Sequence, residues 1–396
     1  MTHELLQRSQ ALREQLIAWR RDLHRHPELG FEEVRTADVV ARHLRSLGIE
    51  TITGVGKTGV VGIIEGSAPG PTVLLRFDMD ALPIQEETGL PFASENPGVM
   101  HACGHDGHTA IGMGVATLLV DFLRTQPGRV KLLFQPAEEG MGGAKATIAD
   151  GVLEHPKPDV AFALHLWNQM PVGLVAAQPG PLMAAADRFS ILLTGHGGHG
   201  AQPHTTVDAV HVGALTVNAL HTIVSRNLPP QETAVLSVGS FHAGSAYNVI
   251  AEQAELQGTL RTFKPEVRQR LLERMEAVLE GMAAAHGITY RLEIDDNVTP
   301  AVINDATAAE LAAQTARALF GAEAVRPVTP LMVAEDMAEI LNKVPGCYLL
   351  LGARPAGGAR GPHHNPRFDF EEEVLPAAVA LLTGVALRYL AQHAPT

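Results

Sequence analysis

The chain predicts an α/β domain with a largely parallel central sheet, interrupted by an inserted ferredoxin-like α+β domain. Three observations carry that expectation. Aliphatic, β-branched runs alternate with helical patterns over residues 60–164, as in βαβ units; the order strand, helix, strand, strand, helix, strand then fills residues 188–294; and α/β rhythm resumes after Thr299-Pro300. The boundaries are placed at 1–185, 186–298 and 299–396, so that the first domain resumes after the insertion and closes.

Element by element, apolar residues recur at helical spacing over 11–25 and 33–47, with Gly48 in the place of a C-cap. Strands are expected at Val60–Glu65, Thr72–Phe77, Val130–Phe134 and Val160–Leu164, and helices at Thr109–Arg124 and Ala144–Asp150. The inserted domain reads as strand Arg188–Thr194, helix Val207–Val224, strands Thr233–His242 and Asn248–Thr262, helix Glu266–His286 and strand Ile288–Ile294. Helices near Thr307–Leu319, Glu335–Lys343 and Leu375–Ala391 and the apolar strand Cys347–Leu351 complete the first domain.

Composition narrows the function. The 396 residues are 46% hydrophobic and 18% charged, which excludes wholesale disorder. A formal charge of −13 opposes phosphate backbones and anionic membranes, so no nucleic acid or membrane partner is expected. The longest apolar stretch, near Leu375–Leu387, is interrupted by Pro376, Thr383 and Gly384 and stops at Arg388, short of the roughly 20 residues that span a bilayer. The N-terminal segment scatters charge and lacks the apolar core of a signal peptide, which predicts a cytoplasmic protein. Two cysteines make a poor disulfide framework, whereas 19 histidines invite a search for a metal site.

Candidate ligands fall in five segments: RFDMDALP (76–83), HACGHDGHTA (101–110), QPAEEG (135–140), the stretch around His165, and HHNP (363–366). Four follow predicted strands and the fifth opens a helix, so an open parallel sheet would gather them beyond the carboxyl ends of its strands. Cys103 and His105 suit a borderline-soft divalent ion. A helix starting near Gly107 would turn its positive end toward Cys103 and favour the thiolate. Of the adjacent Glu138 and Glu139, one carboxylate would ligate while its neighbour takes a proton from water and passes it to a leaving amine. Asp78 and Asp80 would orient a histidine. The surplus of donors over one four-coordinate ion points to two cations and to hydrolysis of an amide or ester. In the inserted domain, His196, His199 and His204 would act only through lid closure or a partner subunit. Asn248 and Arg261, at the two ends of one predicted strand, are a candidate pair for a substrate carboxylate.

Taken together, RRDLHRHPELGFEE, RFDMDALP, HACGHDGHTA, LFQPAEEG, GGHGAQPH, AYNVIAEQAELQGTLRTF, AEDMAEILNKVPGCYLLLG and HHNPRFDF run in order from residue 20 to 370. This series resembles the hippurate hydrolase and N-acyl-amino-acid amidohydrolase family, which includes auxin-conjugate hydrolases and is related to aminoacylases and glutamate carboxypeptidases. The resemblance implies a catalytic domain with a two-metal centre (Zn²⁺, Mn²⁺, Co²⁺ or Ni²⁺), a lid domain that mediates homodimerisation, and a small N-acyl amino acid as substrate. It places metal ligands on Cys103, His105, Glu139, His165 and His364, the general base on Glu138, and a supporting carboxylate on Asp80. His199 matches a lid histidine that stabilises the oxyanion in a neighbouring subunit's site, and Asn248 and Arg261 match residues that face the substrate's carboxylate. Asp78 stands where related branches have a histidine ligand, and Ala334 where the family more often has Gly or Ser. Three other readings remain at this stage: a dipeptidase or carboxypeptidase with the same centre, a non-enzymatic metal-binding protein, and a zinc nucleobase deaminase, whose Pro-Cys-x-x-Cys element is missing.

Overall fold

The computed structural model describes residues 2–295, 298–358 and 360–394. The chain forms two compact units, one comprising Met1–Leu182, Ile303–Thr329 and Asp336–Thr396, the other Met183–Val302 and Pro330–Glu335.

The larger unit is built on a seven-stranded sheet. Its strands are β1 (Glu50–Val55), β2 (Gly59–Glu65), β3 (Thr72–Asp78), β4 (Arg129–Gln135), β5 (Val160–Trp167), β6 (Val175–Ala176) and the strand Gly346–Gly352, in the order β1-β2-β4-β3-β5-(346–352)-β6. Parallel pairing is confined to the central four, β4, β3, β5 and 346–352; β1, β2 and β6 pair antiparallel at the edges. The sheet is therefore more mixed than the strand–helix alternation predicts, because β1 and β2 form a hairpin with no crossover helix between them. Strand β3 and strand 346–352 are buried along their whole length, as expected of parallel strands covered on both faces.

The helices are α1 (Thr2–Ala11), α2 (Arg13–Arg25), α3 (Val34–Ser46), α4 (His105–Phe122), α5 (Gly143–Ala149), α8 (Ala306–Phe320), α9 (Met337–Leu341) and α10 (Leu375–Gln392), with α6 and α7 in the smaller unit. Helix α4 lies close against the sheet because Gly112 has no side chain: a Cβ there would stand 2.6 Å from Phe134 and 2.7 Å from Phe77. Helix α10 packs on α1, α4 and α8. By length and composition it is apolar enough to cross a membrane, and it is longer than its apolar core alone implied, yet 78% of its apolar window is buried inside the protein. Its hydrophobicity is that of a core helix.

The smaller unit is a four-stranded antiparallel sheet in the order 234–243, 253–262, 185–194, 289–294. Numbered along the chain, this is the 4-1-3-2 arrangement of the split β-α-β motif. Helices α6 (Ala209–Asn227) and α7 (Pro265–His286) cover one face, where Phe189, Ile191, Leu193, Leu256 and Leu260 meet Leu220, Ile223, Leu271 and Met275. Asp208 caps α6 by accepting from the Val210 and His211 amides. The stretch Asn248–Thr262 is broken into a short strand at Val249–Ile250, paired with Gly198–His199, and the long strand Gln253–Thr262.

Candidate metal centre

The parallel order of β4, β3, β5 and strand 346–352 sets their carboxyl ends along one edge, and the predicted ligands gather there. Asp78 ends β3 and Asp80 follows it; Gln135 ends β4 and leads into Glu138 and Glu139. His165 lies within β5, not beyond it as the predicted strand end at Leu164 implied. Helix α4 starts at His105, earlier than expected, after Gly104 takes a left-handed φ of +96° that a side chain would oppose.

Five donors meet. Cys103 Sγ lies 3.4 Å from His165 Nε2, and His364 Nε2 lies 3.2 Å from Glu139 Oε1. The potential ligand atoms of Cys103, His105 and His165 all lie within 4.8 Å of one another, as do those of Cys103, Glu139 and His364, and those of His105, Glu138 and Glu139. Cys103 joins the first two groups. Glu138 stands in the third and in neither thiol-centred group.

Other side chains set the orientation of these donors. His105 Nδ1 faces the Asp80 carbonyl at 2.9 Å and Asp80 Oδ1 at 3.2 Å, which turns Nε2 inward. Asp80 Oδ2 accepts from the Glu139 amide at 3.0 Å, so one carboxylate fixes a histidine and the backbone of a glutamate. His165 Nδ1 donates to the Leu166 carbonyl at 2.9 Å. Glu138 Oε1 accepts from the Asp336 amide at 3.3 Å. Of the four described non-glycine residues at positive φ, two belong to this site, Ala137 at +54° and His364 at +64°; the others are Phe31 and Lys57. Such strain gathers at functional sites.

The donor set fits a divalent metal on several independent grounds. His105 Nε2 is buried with no hydrogen-bond partner, and Glu139 Oε1 is buried facing only His364 Nε2 at 3.2 Å outside hydrogen-bond geometry, which is costly for polar atoms without an ion to receive them. Burial alone would lower the His105 imidazole, yet the carboxylates of Asp78, Asp80 and Glu139 push it up to about 10. Burial, followed by Glu139, Glu138 and Asp78, drives the Cys103 thiol well above its usual range. Burial first, and then the neighbouring carboxylates, act against the thiolate that the start of α4 was expected to favour, and a bound cation would offset both.

Asp78 forms a further group with His105 and His108 whose potential ligand atoms lie within 4.8 Å of one another, but both of its carboxylate oxygens are already engaged by side chains. Its carboxylate receives His108 Nδ1–H at 2.6 Å and Arg76 Nη1–H at 2.5 Å, and His108 Nε2 in turn accepts from the Leu166 amide at 3.0 Å. Arg76, 2% exposed, also donates to Gln135 Oε1 at 3.0 Å and to Asp336 Oδ1 at 2.8 Å. Sequence reasoning missed Arg76, His108 and Asp336. The only signal was the alternation Arg76-x-Asp78, which puts both side chains on one face of a strand. His363 is likewise engaged, donating from Nε2 to the Leu166 carbonyl at 3.0 Å and stacking on Trp167.

In the smaller unit, His199 Nδ1 accepts from the Ala201 amide at 3.0 Å and the Gly200 amide donates to the Asn248 carbonyl at 2.8 Å, so His199 and Asn248 share one ribbon. Arg261 Nη1 donates to Thr259 Oγ1 at 2.6 Å near the far end of strand 253–262. From 253 to 261 the strand spans roughly 26 Å at ~3.3 Å per residue, so one chain's Asn248 and Arg261 do not meet on one carboxylate. His196 pairs by its backbone with Val207, and His204 is exposed.

The family model described as Peptidase family M20/M25/M40 matches residues 74–388. The chain is 46% identical over 291 residues to the N-acyl-L-amino acid amidohydrolase of Geobacillus stearothermophilus, covering 73% of this chain and 78% of that one. It is 38% identical to the hippurate hydrolase of Campylobacter jejuni, covering 94% and 95%. It superposes on Bacillus subtilis YXEP, a dinuclear metal-binding peptidase of the M20 family, with a TM-score of 0.85 at 36% identity, covering 96% and 99%. The chain thus belongs to Peptidase family M20/M25/M40, as a hydrolase of amide bonds.

Proposed function

We propose that the protein hydrolyses N-acyl amino acids to a carboxylate and a free amino acid. One observation carries this reading: Glu138 lies against His105 and Glu139, oriented by the Asp336 amide, but outside both thiol-centred donor groups. When bound, two divalent cations held by Cys103, His105, Glu139, His165 and His364 would polarise the scissile carbonyl and acidify the attacking water; the ligand types admit Zn²⁺, Mn²⁺, Co²⁺ or Ni²⁺.

The chain's own residues do the rest. Glu138 takes a proton from the attacking water as the O–C bond forms, then delivers it to the amine nitrogen as the C–N bond breaks. Asp80 holds His105 and the Glu139 backbone in register. His199 donates to the developing oxyanion, while Arg261 and Asn248 receive the free carboxylate of the amino acid. His199 and Asn248 travel together on one ribbon, far along the strand from Arg261, so a single substrate reaches both ends only if two copies contribute. A homodimer is therefore part of the proposal, with the unit of residues 183–302 acting as lid.

The test is a panel of N-benzoyl, N-acetyl and dipeptide substrates with metal analysis of the same sample. Amino acid is expected from the N-acyl compounds, and Glu138→Gln is expected to keep its metal and lose about 10²–10⁴-fold in kcat. Turnover retained by Glu138→Gln, or preference for dipeptides over every N-acyl compound, would refute the reading.

A further inference from the structure

The turn that carries Glu138 and Glu139 is held from beneath by a residue the mechanism does not use. Ala137 precedes the two carboxylates and sits at φ +54°, fully buried. A residue with a β-carbon stays there only if its surroundings enforce it. Two hydrogen bonds grip it: its N–H donates to Glu33 Oε1 at 2.8 Å, and its carbonyl accepts from the Gly143 amide at 3.0 Å. A Cβ on Gly30 would stand 3.1 Å from the Ala137 Cα and Cβ, so the chain before α3 packs directly under the turn.

Glu33 is 0% exposed, and its second carboxylate oxygen accepts from the hydroxyl of Thr58, in the β1–β2 turn. A carboxylate is costly to bury unless hydrogen bonds compensate it. Here the compensation runs to the peptide that sets the direction of the next two residues. Downstream, Asp80 pins the Glu139 amide and the Asp336 amide touches the Glu138 carboxylate, so the turn is fixed at successive points and Glu33 is the first of them.

We propose that Glu33 is a positioning residue for the hydrolytic reaction: by holding the Ala137 peptide in its left-handed conformation it aims Glu138 and Glu139. This deepens the amidohydrolase reading and rests on it. Without Glu33 the Ala137 peptide is free to rotate toward negative φ, which displaces both carboxylates.

Glu33→Ala and Glu33→Gln separate positioning from bulk structure, because the Gln amide oxygen still accepts from Ala137 while its nitrogen donates to Thr58. Glu33→Ala is expected to lower kcat about tenfold to hundredfold, with KM within about twofold, metal content intact and the melting transition cooperative. Glu33→Gln is expected to stay within about threefold of wild type. Wild-type kcat in Glu33→Ala, or equal losses in both variants accompanied by loss of metal, overturns the proposal. Should Glu33→Ala not fold, Thr58→Val removes one tether and is expected to lower kcat about threefold to tenfold at unchanged KM; normal kcat there is equally fatal. Wild type and Glu138→Gln run alongside: if neither pattern expected of them appears, the reaction assignment falls. Hydrogen exchange at the Ala137 amide needs no turnover. It is expected to quicken at least about tenfold in Glu33→Ala, and unchanged exchange overturns the positioning role whatever the substrate.

Discussion

Replacing Arg20 by methionine tests how the amino end of α4, and with it His105, is held in place. Arg20 is 0% exposed. Its Nε donates to Asp106 Oδ2 at 2.8 Å, Nη1 to Glu372 at 3.0 Å and Nη2 to Asp369 at 3.1 Å, and its guanidinium lies 4.7 and 4.4 Å from the ring centres of Phe92 and Phe370. Asp369 and Glu372 retain 25% and 13% side-chain exposure and can turn to water, whereas Asp106 is at 0%. Once Arg20 is gone, Asp106 keeps His24 Nδ1–H at 2.8 Å, and its Oδ1 has no partner. Stranding one member of a buried pair costs about 3–5 kcal/mol. Methionine refills the slot between the two rings, so contacts of about 0.5–1 kcal/mol each roughly exchange for one another. The expected destabilisation is therefore about 3–5 kcal/mol, a large share of the 5–15 kcal/mol that typically holds a domain together. Urea unfolding followed by tryptophan fluorescence reads it cleanly, since both tryptophans, Trp19 and Trp167, belong to the larger unit. Asp106→Asn added to Arg20→Met should restore stability by removing the stranded charge. Burial opposes ionisation of Asp106, but Arg20 and then His24 hold its carboxyl well below the usual range. The pair therefore stabilises above the unfolded value of about 3.9 and loses that contribution as pH falls through the lower folded value, so the gap between wild type and Arg20→Met should narrow below about pH 4. A cost under about 1 kcal/mol, or a double variant weaker than Arg20→Met, would refute the argument.

Three further outcomes are expected. His108→Ala should keep the metal stoichiometry, because both ring nitrogens are already engaged, by Asp78 and the Leu166 amide, and should cost about 1–3 kcal/mol for the groups left unpaired; loss of one metal equivalent on elemental analysis would make His108 a ligand. Burial lowers the Lys131 ammonium to about 8 while its Nζ donates to the Val152 carbonyl. The unfolded chain binds the extra proton between that value and about 10.4, so wild-type stability should rise with pH across this window relative to Lys131→Met, and parallel urea midpoints from pH 7 to 10 would contradict it. Mixing His199→Ala with Glu138→Gln subunits should return part of the lost activity, about a quarter of wild type for random pairing, if His199 serves the partner's site; no recovery would place it in its own.

Much of this arrangement was legible because it depends on local pattern. The buried runs of β3, β4, β5 and strand 346–352 read as strands from their aliphatic, β-branched residues, and one topological rule then carried Cys103, Glu139, His165 and His364 to a common edge. Elements without an apolar rhythm stayed hidden. Strand β1 is mostly exposed on a sheet edge, with only Thr51 and Val55 half-buried, and α1 buries only Leu5 and Ser9. The break at Ala251–Glu252 was equally invisible, since neither glycine nor proline marks it.

What local pattern cannot report is which distant group a buried charge will face. Arg76 reads as one cation at the end of an apolar strand, yet it joins Gln135, Asp78 and Asp336, 2 to 260 residues away along the chain. The Cys103 thiol is pushed up by burial and then by Glu139, Glu138 and Asp78, none of them adjacent to it in sequence, against the effect expected from the helix that follows. Both failures have one physical origin. A carboxylate acts through space over several ångströms in a low-dielectric interior, so the charge state of a site belongs to the assembled fold. In this fold the assembled sign is negative: Asp78, Asp80, Glu138 and Glu139 surround a thiol and an imidazole, with Arg76 committed to the far side of Asp78. A cation bound there would favour an ionised Cys103 and a neutral His105, so metal affinity should strengthen as pH rises, with protons released on binding.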